Sequence, residues 1–169
     1  TASVAIWRIL KEKCPAMNVV AGAGHSLGEY SALVAAGALD FSDAVRLVKK
    51  RGQLMDAAVP AGQGGMAAVL GLSEEQIADV CAGAADAGVV EPANFNAPGQ
   101  IVIAGSMPAV EKAIELAKEA GAKRALPLAV SGPFHSSLMK AAAEEFGEAL
   151  KAVAFRAPEF KVFHNVDNQ

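Results

Sequence analysis

The five residues Gly24-His25-Ser26-Leu27-Gly28 hold a serine between two glycines in the pattern G-x-S-x-G. Ahead of them Met17-Asn18-Val19-Val20-Ala21-Gly22 is a short apolar stretch that reads as a buried strand. Behind them the chain from Glu29 to Ala36 reads as a helix ended by Gly37. Strand, sharp turn and helix are the setting in which this pattern makes a nucleophile elbow. The flanking glycines let the chain turn tightly and keep side chains away from the serine. The hydroxyl then projects at the start of a helix, where backbone N–H groups can stabilise an oxyanion. The plainer alternative is a glycine-rich turn with an incidental serine.

A serine nucleophile needs a base. Of the three histidines, His25 is next to Ser26 in the turn, where adjacent side chains tend to point apart. His164 falls inside an apparent strand, Lys161 to Val166, and reads as a packed core residue. His135 lies in the glycine-proline loop Ser131-Gly132-Pro133-Phe134-His135 just before a helix, and loops hold catalytic groups more often than strand interiors do, so His135 is favoured. No third, acidic member is evident: Asp40, Asp43 and Asp167 read as caps or surface residues. One cation is out of place. A helix from about Asp43 to Ala58 has the apolar stripe Ala44, Leu47, Val48, Leu54, Met55 and Ala58, and helical spacing puts Arg51 on it. Burying an unpaired guanidinium is costly, so Arg51 is expected either in a structural salt bridge or as a clamp for a substrate carboxylate.

Composition narrows the function classes. The chain has 169 residues, 53% hydrophobic and 20% charged, enough for a sizeable core in one domain or one domain carrying an insertion. Net charge is −3 and no basic stripe occurs, which argues against nucleic acid. Apolar runs break well before the ~18 residues a membrane span needs. Cys14 and Cys81 have no metal-ligand spacing and imply no disulfide framework, so no metal is expected and a reducing cytoplasm fits. Gly22 to Gly28 is G-x-G-x-x-x-G rather than the dinucleotide fingerprint, and no G-K-[ST] is present.

Between Gly62 and Leu128 the pattern changes. Strand Gly65–Leu70, a helix opened by the capping box Ser73-Glu74-Glu75-Gln76, strand Val89–Phe95, a turn at 96–99, strand Gln100–Ala104, a helix to about Gly121 and strand Lys123–Leu128 follow in turn. That order, βαββαβ, is the ferredoxin-like unit. Cys81 falls on the helix stripe Ile77, Val80, Cys81, Ala84 and is expected in the core. The expected fold class is α/β. Residues 62–129 would form a ferredoxin-like subdomain inserted into an incomplete α/β-hydrolase-like core of residues 1–61 and 130–169. Thr1 to Lys13 reads as an amphipathic helix with Ala2, Ile6, Ile9 and Leu10 on one side. The chain begins without methionine and closes on an uncovered strand, and so reads as a fragment of a longer protein.

Five segments together resemble the malonyl-CoA:acyl carrier protein transacylases, an acyltransferase family. They are Gly24-His25-Ser26-Leu27-Gly28-Glu29-Tyr30-Ser31-Ala32-Leu33, then Asp43-Ala44-Val45-Arg46-Leu47-Val48 leading to Arg51-Gly52, Asn94-Phe95-Asn96-Ala97-Pro98-Gly99-Gln100, Gly132-Pro133-Phe134-His135-Ser136, and Asn165-Val166-Asp167. The resemblance implies malonyl transfer from coenzyme A to the phosphopantetheine thiol of acyl carrier protein, in fatty acid biosynthesis. Ser26 would be acylated, His135 would be the base and Arg51 would hold the malonyl carboxylate. The Leu27 N–H would be an oxyanion donor, His25 would belong to the substrate site, and Asn94, Asn96 and Gln100 would line the cleft. Phe134 would leave little room for an α-methyl group. No cofactor is implied, coenzyme A entering as a thioester substrate. The family's N-terminal Gly-Gln-Gly segment is absent, and Gly62-Gln63-Gly64 only imitates it. Three alternatives stay open: an acyltransferase module of a polyketide synthase, a serine hydrolase or thioesterase, and an inactive fragment.

Overall fold

Residues 1–167 are described by the computed structural model. In chain order they form α1 (Ala2–Lys13), β1 (Ala21–Ala23), α2 (Gly28–Ala35), α3 (Phe41–Ala57), β2 (Gly64–Leu70), α4 (Glu74–Ala84), β3 (Val90–Ala97), β4 (Gln100–Ser106), α5 (Met107–Glu119), β5 (Arg124–Pro127), α6 (Lys140–Lys151) and β6 (Lys161–Phe163). They divide into two compact units, residues 1–51 with 147–169 and residues 52–146.

In the second unit β2 takes a central place because it is apolar on both faces. Ala67 and Val69 join Ile101 and Ile103 of β4 against the stripes Ile77, Val80, Cys81, Ala84 of α4 and Ala109, Val110, Ala113, Ile114, Ala117 of α5. The alternate residues Met66 and Ala68 meet Val102, Ala104 and Phe134 on the other face. A strand covered on both sides reads as a continuous apolar run rather than an alternating one. The strand order is β3-β4-β2-β5, and every neighbouring pair is antiparallel. Pro98 and Gly99, the latter at φ +70°, close the β3–β4 hairpin in two residues. The capping box at α4 is formed as the sequence reads: the Gln76 N–H donates to Ser73 Oγ and the Ser73 N–H to Gln76 Oε1.

In the first unit β1 and β6 pair in parallel, with Gly22 opposite Val162. Val162, Ala32 and Ala36 form a small core with Leu33 and Phe160 packed against it. The helix after the elbow ends at a left-handed Gly37 (φ +71°), where Ala38 N–H reaches back to Leu33 O, a Schellman closure. Among the described residues no helix is long and apolar enough to cross a membrane.

Three expectations need correction. The strand expected at 17–22 is only Ala21–Ala23, because its ladder is limited to the three pairs with β6, and Val20 is 76% exposed. The strand expected at 161–166 stops at Phe163, where the polar groups of His164 and Asn165 bond elsewhere. On α1 the inward residue is Val4, while Ile6 and Ile9 lie exposed; Trp7 meets the Phe160 ring edge-on at 6.0 Å. The periodicity of α1 was compatible with two faces, and packing on Phe160 selects the one bearing Val4 and Trp7.

Candidate active site

The elbow is built by sterics at one glycine. A Cβ on Gly24 would lie 2.0 Å from the Gly28 carbonyl carbon and 2.5 Å from Glu29 N, so no other residue fits. At Gly28 a Cβ would meet nothing within 4 Å; this second glycine leaves open space beside the serine rather than relieving a contact. Gly28 N–H donates to His25 O (2.8 Å) and Glu29 N–H to Ser26 O (3.2 Å), which tightens the turn into α2. Ser26 itself is held at φ +50°, in the left-handed region. For a residue with a Cβ this conformation costs on the order of 1–2 kcal/mol and needs support from its surroundings.

Arg51, half-buried on α3, donates from Nη2 to Ser26 Oγ at 2.8 Å. The guanidinium therefore bonds the serine hydroxyl rather than a structural carboxylate partner. Tyr30, in the first turn of α2, has its phenol pKa pushed up by burial, against the lowering effect of the nearby Arg51 charge.

Support for the left-handed serine comes from the strand paired with β1. Parallel pairing brings the residues that follow β6 alongside the residues that follow β1. Asn165 Oδ1 accepts from Ser26 N–H (2.9 Å), and Asn165 Nδ2 donates to Gly24 O (2.7 Å) and to Glu29 Oε2 (2.5 Å). The Asn165 N–H also donates to Glu29 Oε2 (3.1 Å). The other carboxylate oxygen, Glu29 Oε1, lies 2.7 Å from His164 Nδ1, which must carry the proton because a carboxylate only accepts. Partial burial works to raise the Glu29 pKa, but the hydrogen bonds from His164 and Asn165 outweigh it and hold the carboxyl below its usual value. His164 is thus not a packed strand residue. It lies past the end of β6, its side chain 48% exposed, tied to the elbow helix.

The second unit carries the other candidates. His135 is exposed in the turn after Pro133, at φ +65°. On its far side Ser136 donates to Pro133 O from both its hydroxyl (2.7 Å) and its N–H (3.3 Å). Pro133 is fully buried and its ring occupies the space Gly64 leaves: a Cβ there would come within 2.5 Å of Pro133 Cδ. Ser137 N–H donates to Glu91 Oε2 (2.7 Å). Phe134 is half-buried against Met66, Val102 and Ala104. Asn94, Asn96 and Gln100 sit around the β3–β4 hairpin, Asn94 half-buried and the other two exposed, with bulges between Pro92 and Asn94 and between Phe95 and Ala97.

Within the first unit the structure therefore brings together Ser26, Arg51 and the elbow residues His25 and Leu27. His25 is exposed, and Leu27 lines an apolar cavity of about 260 Å³ with Tyr30, Val34, Phe41 and Val48. Glu29 and Asn165 were not singled out as site residues by sequence reasoning. The available signal was an acid in the first turn of the elbow helix and an amide opening the segment Asn165-Val166-Asp167 of the family resemblance. Among the described residues no group of three His, Cys, Asp or Glu is placed to hold a metal ion.

Residues 4–168 match a protein-family profile described as the acyl transferase domain. The malonyl CoA-acyl carrier protein transacylase of Haemophilus influenzae is 56% identical over 166 residues, 98% of this chain and 53% of that protein. A crystal structure of an acyl carrier protein S-malonyltransferase from Vibrio cholerae superposes with a TM-score of 0.94 at 56% identity, over 99% of this chain and 55% of that one. A structure of a type II PKS acyl-carrier protein in complex with its malonyl-transacylase gives 0.96 at 53% identity, over 99% and 54%. The chain spans about half the length of these relatives. Its mixed α/β fold is theirs over that span.

Proposed function

The chain belongs to the acyl transferase domain family, and from that premise we propose that it carries the nucleophile, the base and the carboxylate clamp of a malonyl-CoA:acyl carrier protein transacylase of fatty acid biosynthesis. Ser26 Oγ attacks the malonyl thioester carbonyl while His135 takes its proton. The Leu27 N–H faces the developing oxyanion, the neighbouring amides of Ser26, Gly28 and Glu29 being bonded to Asn165 Oδ1, His25 O and Ser26 O. Collapse of the tetrahedral intermediate breaks the C–S bond, and the proton on His135 goes to the coenzyme A thiolate. The carrier-protein thiol then attacks the malonyl-serine and His135 repeats its part in reverse. No cofactor takes part; coenzyme A leaves as a product. His25, Asn94, Asn96 and Gln100 contribute to the substrate site, and Phe134 opposes an α-methyl group.

The observation that carries this assignment is the Arg51–Ser26 bond. A fixed guanidinium 2.8 Å from the nucleophile is suited to an acyl group that ends in a carboxylate, whereas plain thioester hydrolysis has no use for it. Further support comes from backbone strain: among the described residues Ser26 and His135 are the two non-glycine residues at positive φ. Such conformations cluster at functional sites. For the architecture, the β3-β4-β2-β5 order with α4 and α5 on one face supports a ferredoxin-like subdomain over 62–129. The parallel β1–β6 pair leading into the elbow supports an α/β-hydrolase-like core over 1–61 and 130–169. The cytoplasm is the proposed compartment.

The test is Arg51→Ala in the natural polypeptide that contains this sequence. Malonyl transfer should fall by the equivalent of about 2–5 kcal/mol, the cost of leaving a desolvated charge unpaired. Acetyl transfer should fall less or rise. Equal losses for both acyl groups would make Arg51 structural.

A further inference from the structure

Ser26 sits in a left-handed conformation to which the elbow glycines add room but no bond. Gly24 removes a clash but makes no bond that favours φ +50° at the serine. The two peptide units just ahead of the Ser26 Cα are instead spanned by one side chain. Asn165 accepts from the Ser26 N–H through Oδ1 and donates to the Gly24 carbonyl through Nδ2, so a single planar amide bridges the peptide units flanking His25. That amide is oriented in turn by Glu29, whose Oε2 accepts from both Asn165 Nδ2 and the Asn165 N–H. Glu29 belongs to the first turn of α2, so the bridge ties three elements: the end of β1, the end of β6 and the helix that follows the nucleophile. An asparagine is the side chain this arrangement demands, since it must accept on one side and donate on the other; aspartate could not donate to Gly24 O.

We infer that Asn165, held by the Glu29 carboxylate, is a positioning residue that keeps Ser26 in its reactive left-handed conformation and occupies the Ser26 N–H, leaving the Leu27 N–H for the oxyanion. Asn165 touches no reacting atom; it acts through the backbone of the serine. The inference rests on Ser26 being the acylated residue, and its test separates the two. In the natural polypeptide, Asn165→Ala should slow acylation of Ser26 by malonyl-CoA on the order of 10²-fold, the scale of a small misplacement of a reacting group, with KM changed less than about twofold. Asn165→Asp should be as slow, because it loses the donor to Gly24 O and opposes Glu29. Combining it with Glu29→Gln removes the charge repulsion and restores a hydrogen bond between the two side chains, though not the one to Gly24 O, and should recover at least about tenfold. The Ser26 amide should exchange its hydrogen at least about tenfold faster in Asn165→Ala than in the parent. A merely structural Asn165 would lower rate only in proportion to the folded fraction, would show no recovery in the double variant and would leave Ser26 amide exchange unchanged; any of these overturns the inference. Malonyl label persisting in Ser26→Ala would instead sink the functional reading, and amide exchange would still decide the role of Asn165. Should Asn165→Ala not fold, the Asp variant and its pairing with Glu29→Gln carry the same comparison.

Discussion

At Ser26 the strained backbone is held by a side chain 139 positions away, whereas the turn that carries His135 is closed by Ser136 bonding back to a carbonyl three residues earlier. Both residues carry the same kind of backbone strain, at φ +50° and +65°. The serine's support is exposed and long-range, running through Asn165, Glu29 and His164. The histidine's support is a turn whose proline is buried on Gly64 and whose Ser136 hydroxyl is buried with it. The Ser26 backbone therefore depends on the pairing of β1 with β6, while the turn that carries His135 is braced by the Ser136 bonds, by Pro133 on Gly64 and by Glu91 on the Ser137 N–H. Long-range supports are lost when a distant strand detaches; local ones survive as long as their own turn does.

The largest effect expected is at His135. A glycine there relieves the left-handed cost and adds some unfolded-state entropy, so His135→Gly should leave stability within about 1 kcal/mol. Acylation should nevertheless slow by roughly 10²–10⁴, the range for lost acid–base catalysis. His164→Ala gives the contrast: it removes a half-exposed bond to Glu29 and should cost well under about tenfold in rate. Stopped-flow acylation at matched folded fraction would measure both, and a reversed ranking would hand the base role to His164.

A smaller effect concerns pH. The Glu29 carboxyl lies below its ordinary value near 4.5, so folded protein binds its proton less readily than unfolded chain does. The stabilisation from Glu29 is therefore complete above about that pH and is lost as the pH falls through the lower folded value. Glu29→Gln should be less stable than the parent at neutral pH, by below about 1 kcal/mol for so exposed a network, and the gap should close on acidification. Denaturant titrations at neutral pH and at pH values below the folded transition would check this. A gap that widens in acid would mean that Glu29 is not held as the structure has it.

The two regions also differ in how far they could be read from sequence. The elbow, the Ser73 capping box, the α4 stripe through Cys81 and the loop carrying His135 are local patterns, and residues within a few positions of one another decide them. Arg51 was legible as an anomaly on an apolar stripe, though its partner was not, because nothing in the spacing says that Ser26 lies beside it. Asn165 and Glu29 escaped for the same reason: their meaning exists only once β6 lies parallel to β1. His164 reads as a strand residue because Val162 and Phe163 before it and Val166 after it carry the strand pattern past the point where hydrogen bonding to Glu29 ends the ladder. The α1 stripe differs because a second apolar face, bearing Val4 and Trp7, is also present in the helix, and Trp7 on Phe160 faces the core.

The most direct measurement is the position of the acyl group. Incubation of the natural polypeptide with malonyl-CoA, followed by peptide mass mapping, should place one malonyl adduct on the peptide containing Ser26. The adduct should be discharged by the carrier-protein thiol and should be absent in Ser26→Ala. An adduct that survives Ser26→Ala, or that maps to Cys14 or Cys81, would contradict the account.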